Sequence, residues 1–201
     1  RGIFMGNFSG QTNGGFAALV ASNGAGYFLG HNVPQAELMF STNSLVGADR
    51  SVSLTTDKSG KLTGVFGVDG VTGTLASTNG IKTDFSASLQ PGTGLHQANT
   101  GFYAGTFDGL LSGSAHFILA ADGKAFLFIA SPALGGGGAF GSIDAANSLS
   151  ATAAYTLPGT TVPASILISG KLNPATHLFT GTYSLGAFTL GTFTIARAAT
   201  P

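Results

Sequence analysis

The side chains in this sequence best suited to proton transfer or metal ligation are four histidines and eight carboxylates, for there is no cysteine. His31, His96, His116 and His177 are widely spaced, whereas a metal site normally shows ligands in close or helical pairs. The expectation for all four is a structural or solvent-exposed role. Glu37, Asp49, Asp57, Asp69, Asp84, Asp108, Asp122 and Asp144 could supply the two carboxylates of a glycoside hydrolase, with Glu37 and Asp144 the pair to test. Most of them stand beside Gly or Ser in turns, where Asp hydrogen-bonds its own backbone. A hydrolase is therefore the third of three readings. Asp57-Lys58-Ser59-Gly60 begins like a calcium loop but lacks the alternating acids and terminal Glu that follow in one. Gly-x-Ser-x-Gly is absent, and neither Gly24-Ala25-Gly26 nor Gly135–Gly138 leads into the Gly-Lys-Ser/Thr of a phosphate loop. The glycosylation triplet Asn7-Phe8-Ser9 is not repeated. We accordingly nominate no catalytic residue, metal ligand or cofactor, and leave ligand-binding residues unassigned.

The elements that would hold any site are plainer. Residues 2–30 return without a gap at 101–129, at a constant offset of 99 residues: Gly6 becomes Gly105, Phe8 becomes Phe107, and Asn23-Gly24 becomes Asp122-Gly123. In each copy a strand interrupted by Gly, implying strong curvature or close backbone approach, leads to a hairpin closed by Asn-Gly or Asp-Gly. The hairpin strands are apolar on both faces, so something must cover them twice. Alternating segments follow at 50–56, 61–67, 70–76 and 81–89, and again at 148–156, 164–171, 177–184 and 187–196. Val71-Thr72-Gly73-Thr74-Leu75 resembles Phe179-Thr180-Gly181-Thr182-Tyr183. The fold class is all-β and antiparallel: two tandem repeats of about seven strands, 1–89 and 101–201, forming sandwich or barrel units joined by a linker over 90–100. The segments 31–49 and 130–147 differ between copies and read as loops, with a short helical turn or irregular excursion after Pro34 and a flexible tip at Gly135–Gly138.

Charged residues make up only 8% of the 201 residues, and the eight basic and eight acidic side chains cancel. That balance argues against a nucleic-acid partner, which needs clustered Lys and Arg. It also removes the repulsion that keeps molecules apart. There is no apolar run long enough for a transmembrane helix, and the absence of Trp disfavours the aromatic girdles of a membrane barrel. Few charges and abundant Gly, Ser and Thr suggest an exported, extracellular or cell-surface protein whose targeting segment has gone. The first functional expectation is a non-enzymatic structural protein that self-assembles into a fibre, sheath or surface layer through its apolar strands. The second is a secreted or surface binding module for a glycan or small ligand, taken up by the barrel mouth or the segments 31–49 and 130–147.

Overall fold

The structure, a computed structural model, describes residues 1–11, 13–33, 37–56, 59–78, 80–132, 135–156 and 163–201. The first repeat contributes β1 (Gly2–Gly10), β2 (Asn13–Val20), β3 (Ala25–Val33), β4 (Glu37–Leu45), β5 (Ser51–Thr55), β6 (Lys61–Phe66), β7 (Gly70–Ala76) and β8 (Lys82–Leu89). The second contributes β9 (Gly101–Gly109), β10 (Gly113–Leu119), β11 (Lys124–Ser131), β12 (Gly135–Ile143), β13 (Ser148–Thr156), β14 (Pro163–Asn173), β15 (Leu178–Leu185) and β16 (Phe188–Ala199). A 3-10 turn, Gln97–Asn99, lies between them.

Each repeat is an antiparallel meander whose first strand returns to pair with its last, β1 with β8 and β9 with β16. The second repeat is a closed eight-stranded barrel. The first is an eight-stranded sheet with β4 and β5 at its two edges. The all-β tandem architecture expected from the sequence is present, with eight strands per repeat. The additional strands, β4 and β12, occupy segments read as loops, and Gly135–Gly138 is not a tip but pairs with Phe128–Ser131 of β11. Pro34–Ala36 lie outside the described residues, while Glu37 onward is strand rather than helical turn.

Local chemistry explains the repeated segment. Gly24 and Gly123 take φ of +84° and +89°, donate to Ala21 O and Ala120 O, and so close three-residue hairpin loops. Asn23 Oδ1 and Asp122 Oδ1 accept from the backbone N–H two residues on, at 3.0 and 3.1 Å. A Cβ on Gly6 would lie 1.8 Å from Ser86 O, and one on Gly105 2.1 Å from Thr194 O. Those glycines therefore permit the close backbone approach of the first and last strands of each repeat.

Three apolar clusters account for the burial. One fills the barrel, around Tyr103, Phe117, Phe179 and Phe193. A second fills the concave face of the first sheet, around Phe16, Phe28, Leu62 and Phe85. The third lies between the repeats, where Ile3, Met5, Leu19 and Leu29 of β1–β3 meet Phe102, Ile118, Phe126 and Phe128 of β9–β11. This third cluster corrects the expectation of self-assembly. The strands apolar on both faces are covered once by their own repeat's interior and once by the other repeat, within one chain, and the closed barrel presents no unpaired strand edge. Outward positions on the barrel, such as Ser150, Thr152, Thr180, Thr192 and Thr194, are polar and exposed. A polar exterior around an apolar interior is the reverse of a lipid-facing barrel with a wet lumen. Among the described residues, no helix is long and apolar enough to cross a membrane.

Candidate functional site

The residues singled out for chemistry do not converge. Asp49, Asp108, Asp122 and Asp144 each accept hydrogen bonds from their own turns: Asp144 Oδ1, for instance, takes the N–H of Ala146 at 2.9 Å and of Ser148 at 2.8 Å. Hydrogen bonds from Ser51 hold the exposed Asp49 carboxyl below its ordinary pKa. Asp122 also pairs with Lys124 at 3.1 Å. Glu37 lies in β4, Asp69 in the turn before β7 and Asp84 in β8, whereas Asp57 and Lys58 fall outside the described residues. No group of three or more His, Asp or Glu among the described residues is placed to hold a metal.

The histidines are mostly internal. His116 is buried against the rings of Phe102 (5.9 Å, nearly parallel) and Phe128 (6.4 Å), and desolvation pushes its pKa down to about 4. His31, also buried, is lowered for the same reason, partly opposed by a hydrogen bond to the backbone of Gly138 in the other repeat. His96 is buried where the chain enters the second repeat, and its N–H donates to Ala121 O. His177 Nδ1 lies 3.0 Å from Asn99 Oδ1.

His177 belongs to a clamp at one end of the barrel. Tyr103 donates its hydroxyl to Asn99 O at 2.6 Å, and Arg197 donates to Ala98 O at 2.7 Å. Burial raises the Tyr103 pKa to about 12, partly countered by Arg197, so the hydroxyl remains a donor throughout the physiological range. Residues 94–100, placed in a linker by the sequence, thus lie across the barrel end, with His96 and Asn99 buried. The clamp positions backbone.

At the other end the barrel presents apolar side chains to solvent. The β9–β10 connection carries Leu110, 76% exposed, and the β15–β16 hairpin carries Phe188, also 76% exposed. These tips are neighbours on the rim: Gly109 pairs with Gly191, Leu110 N–H donates to Leu190 O, and Phe188 pairs with Leu185. Leu185 and, on the adjacent outer wall, Leu167 are also exposed. Tyr183 holds the rim in shape by donating to Leu111 O at 2.6 Å and accepting from Leu111 N–H at 3.2 Å. Neither of the two described connections at this end, 110–112 and 186–187, carries a charge. Where the second repeat has Leu110-Leu111, the first has Gln11-Thr12. The rim was not nominated from the sequence. The substitution of Leu-Leu for Gln-Thr between copies was the signal that could have found it.

The barrel interior offers no comparable site. The void beneath Phe107, Ala115 and Tyr183 is about 20 Å³, room for about one water, and its lining is apolar.

No family model matches the sequence, and no curated protein does. Among solved structures, the chain is similar to HpuA from Kingella denitrificans, determined in complex with human haemoglobin, at 14% identity and a TM-score of 0.37, covering 98% of this chain and 86% of that one. It is also similar to the vaccine antigen transferrin binding protein B (TbpB) from Haemophilus parasuis, at 12% identity and a TM-score of 0.34, covering 92% of this chain and 53% of that one. The expectations of a self-assembling fibre, a homo-oligomeric partner and a glycan partner are corrected by the packing within the chain. The apolar strands are covered internally, and Tyr27, Tyr103 and Tyr183 are engaged in stacking or buried hydrogen bonds rather than displayed as sugar platforms.

Proposed function

We propose that this chain is a non-enzymatic, cell-surface binding protein that takes a protein partner on the apolar rim of its second barrel. The observation that carries the proposal is the pair of adjacent hairpin tips with Leu110 and Phe188 each 76% exposed, on a molecule whose other outward strand positions are largely Ser and Thr. Contiguous exposed apolar groups with a polar surround mark interaction surfaces. Lack of charge at these tips disfavours a phosphate-bearing partner. Absence of Lys, Arg, Trp and Tyr from them disfavours insertion into a bilayer interface, where such residues serve as anchors. What remains is the apolar surface of another protein, with Leu and Phe as anchors and neighbouring Ser184 and Thr189 as a hydrogen-bonding rim. A surface role follows from the uncharged Ser/Thr exterior and accords with the protein partners named for HpuA and TbpB.

The test is binding of haemoglobin and transferrin to the immobilised full chain, compared with a Leu110→Asn/Phe188→Ser double variant. Truncating interface anchors costs about 2 kcal/mol each, so the double variant should lose affinity for a protein that binds by close to a thousand-fold if the two add, and by at least about thirty-fold if they do not, with the unfolding midpoint unchanged. Binding of neither protein, unaltered affinity in the double variant, or self-association of the wild type abolished by it would each overturn the proposal.

A further inference from the structure

One margin of the contact between the repeats is an open groove of about 410 Å³, with β1 and β8 on one side and β11 and β12 on the other; Met5, Asn7, Ser88, Gln90, Lys124 and Phe140 line it. Strand geometry sets these groups side by side. Ile3, Met5 and Asn7 share the face of β1 that is turned to the other repeat, because alternate side chains point the same way. Ile3 and Met5 are buried in that contact, whereas Asn7, next along the row, is exposed. Across the ladder Asn7 pairs with Gly15 of β2, and Met5 with Ser88 of β8. Residues directly opposed in an antiparallel pair project to the same face, with Cβ positions about 5 Å apart. A Cβ on Gly15 would lie 2.9 Å from Phe140 Cε2, so the glycine is what admits the Phe140 ring beside Asn7. That ring meets Phe126 edge to face, centroids 4.9 Å apart, and is 42% exposed. The groove thus sets an aromatic ring next to a carboxamide.

Hydrogen-bonding capacity is uneven within it. Lys124 Nζ lies 3.1 Å from Asp122 Oδ2 and donates to Gln90 Oε1 at 3.3 Å, while Gln90 Nε2 donates to Ser88 O at 2.8 Å. Among the described residues, no hydrogen bond engages the Asn7 carboxamide or Ser88 Oγ. The duplicate has neither group. Thr106 stands at the position of Asn7, and Ala196 pairs with Ala104 where Ser88 pairs with Met5. Lys124 likewise stands where the first repeat has Ala25.

The cation in the groove is already paired with a carboxylate, which disfavours an anionic occupant. A carboxamide presents a donor and an acceptor side by side. Its planar complement is a ring edge with an adjacent acceptor and donor, as adenine offers with N7 and its N6 amino group. Such rings also stack on aromatic side chains. We infer that this groove binds a neutral purine base of the adenine type, its ring against Phe140 and Met5 and its N6/N7 edge on the Asn7 carboxamide. Ser88 Oγ supplies a further hydrogen-bonding group. The volume falls within the ~300–1,000 Å³ of small-molecule pockets. A free base brings no phosphate, which accords with a chain that lacks clustered Lys and Arg.

Adenine titrated into the full chain and followed by amide NMR should give saturable shifts confined to residues 5–7, 88–90, 124 and 140–141. Unsubstituted purine keeps the ring but lacks the N6 donor, and should bind at least about fivefold more weakly. Asn7→Thr installs the residue of the duplicate strand at an exposed position, so the thermal midpoint should hold. Adenine affinity should fall at least about fivefold in this variant, and purine affinity less. Phe140→Leu keeps an apolar side chain on Phe126 but removes the flat face, and should weaken adenine and purine alike by at least about fivefold. Equal binding of adenine and purine, full adenine affinity in either variant, or no saturable shift at the groove would overturn the assignment. The Leu110→Asn/Phe188→Ser variant should retain adenine affinity whether or not it loses a protein partner, which separates this site from the barrel rim; loss of adenine binding there would also overturn it.

Discussion

Lowering the pH should loosen the contact between the two repeats over a definite window, because two imidazoles are buried there. His116 stacks on Phe102 and has its pKa lowered from 6.5 to about 4 by desolvation. Above pH ~6.5 this costs nothing, since the ring is neutral in folded and unfolded chains alike. Below it the unfolded chain takes up the proton and the folded one does not, so stability falls as pH falls, and the loss levels off only near the folded value. At ~1.4 kcal/mol per pH unit, with allowance for partial titration near 6.5, His116 alone should remove about 2 kcal/mol between pH 7 and pH 5. His31 is shifted in the same direction and adds to the loss, less whatever its hydrogen bond to Gly138 returns. Asp49 is held below its ordinary value and so does not titrate in this range. The assay is urea unfolding at pH 7, 6 and 5 for the wild type and for His116→Phe, which keeps an aromatic ring on Phe102. The variant should lose about 2 kcal/mol less than the wild type across the range. Equal pH dependence in the two proteins, or none in the wild type, would refute the burial argument.

Two further perturbations test the scaffold. Gly105→Ala would put a Cβ 2.1 Å from Thr194 O and 2.7 Å from Ile195 Cα, both backbone atoms that cannot swing aside, and should cost about 2–3 kcal/mol in thermal unfolding. Gly92→Ala, which meets nothing within 4 Å, should stay within about 0.5 kcal/mol of wild type. Tyr103→Phe removes the donor to Asn99 O and should cost about 1–2 kcal/mol, with faster amide exchange confined to residues 96–100.

What the sequence made legible was whatever local chemistry determines. Asn23-Gly24 and Asp122-Gly123 mark hairpins because a positive φ needs glycine, and Gly6 and Gly105 mark close approach because nothing larger fits. The strands β4 and β12 were hidden because their identity depends on partners far along the chain. Gly135–Gly138 has no hydrophobic period and reads as a flexible loop, yet a Cβ on Gly138 would collide with Phe126 at 2.8 Å and with His31 Cβ at 2.9 Å. Glycine there makes room for the other repeat. The same holds for the two-sided apolar hairpins: their pattern announces a second covering surface, but only the tertiary contact identifies it as the duplicate rather than another molecule. The apolar rim escaped notice because periodicity assigns leucines to cores, and nothing local says that Leu110 lies at an exposed tip.

The duplication also explains why functional differences collect at strand ends. The faces of β1–β3 and β9–β11 are each committed twice, to a repeat's own interior and to the interface, so a change there disturbs two packings at once. The ends carry no such double constraint. It is there that Gln11-Thr12 and Leu110-Leu111 diverge, that Tyr103 faces Phe4 across the repeat relation, and that Asn147 is matched by a strained Arg50. The first change exchanges a polar tip for an apolar one, the second a hydroxyl donor for a plain ring, and the third an amide for a guanidinium. Each alters surface chemistry without altering the strand register beneath it. If the two repeats served only as mutual packing partners, their ends would have no reason to differ in this ordered way, one repeat acquiring an apolar rim where the other keeps a polar tip. Installing the first repeat's tip in the second, Leu110→Gln with Leu111→Thr, should therefore leave folding intact and remove binding at the rim. Loss of folding from this exchange would show instead that the tip is coupled to the packing beneath it.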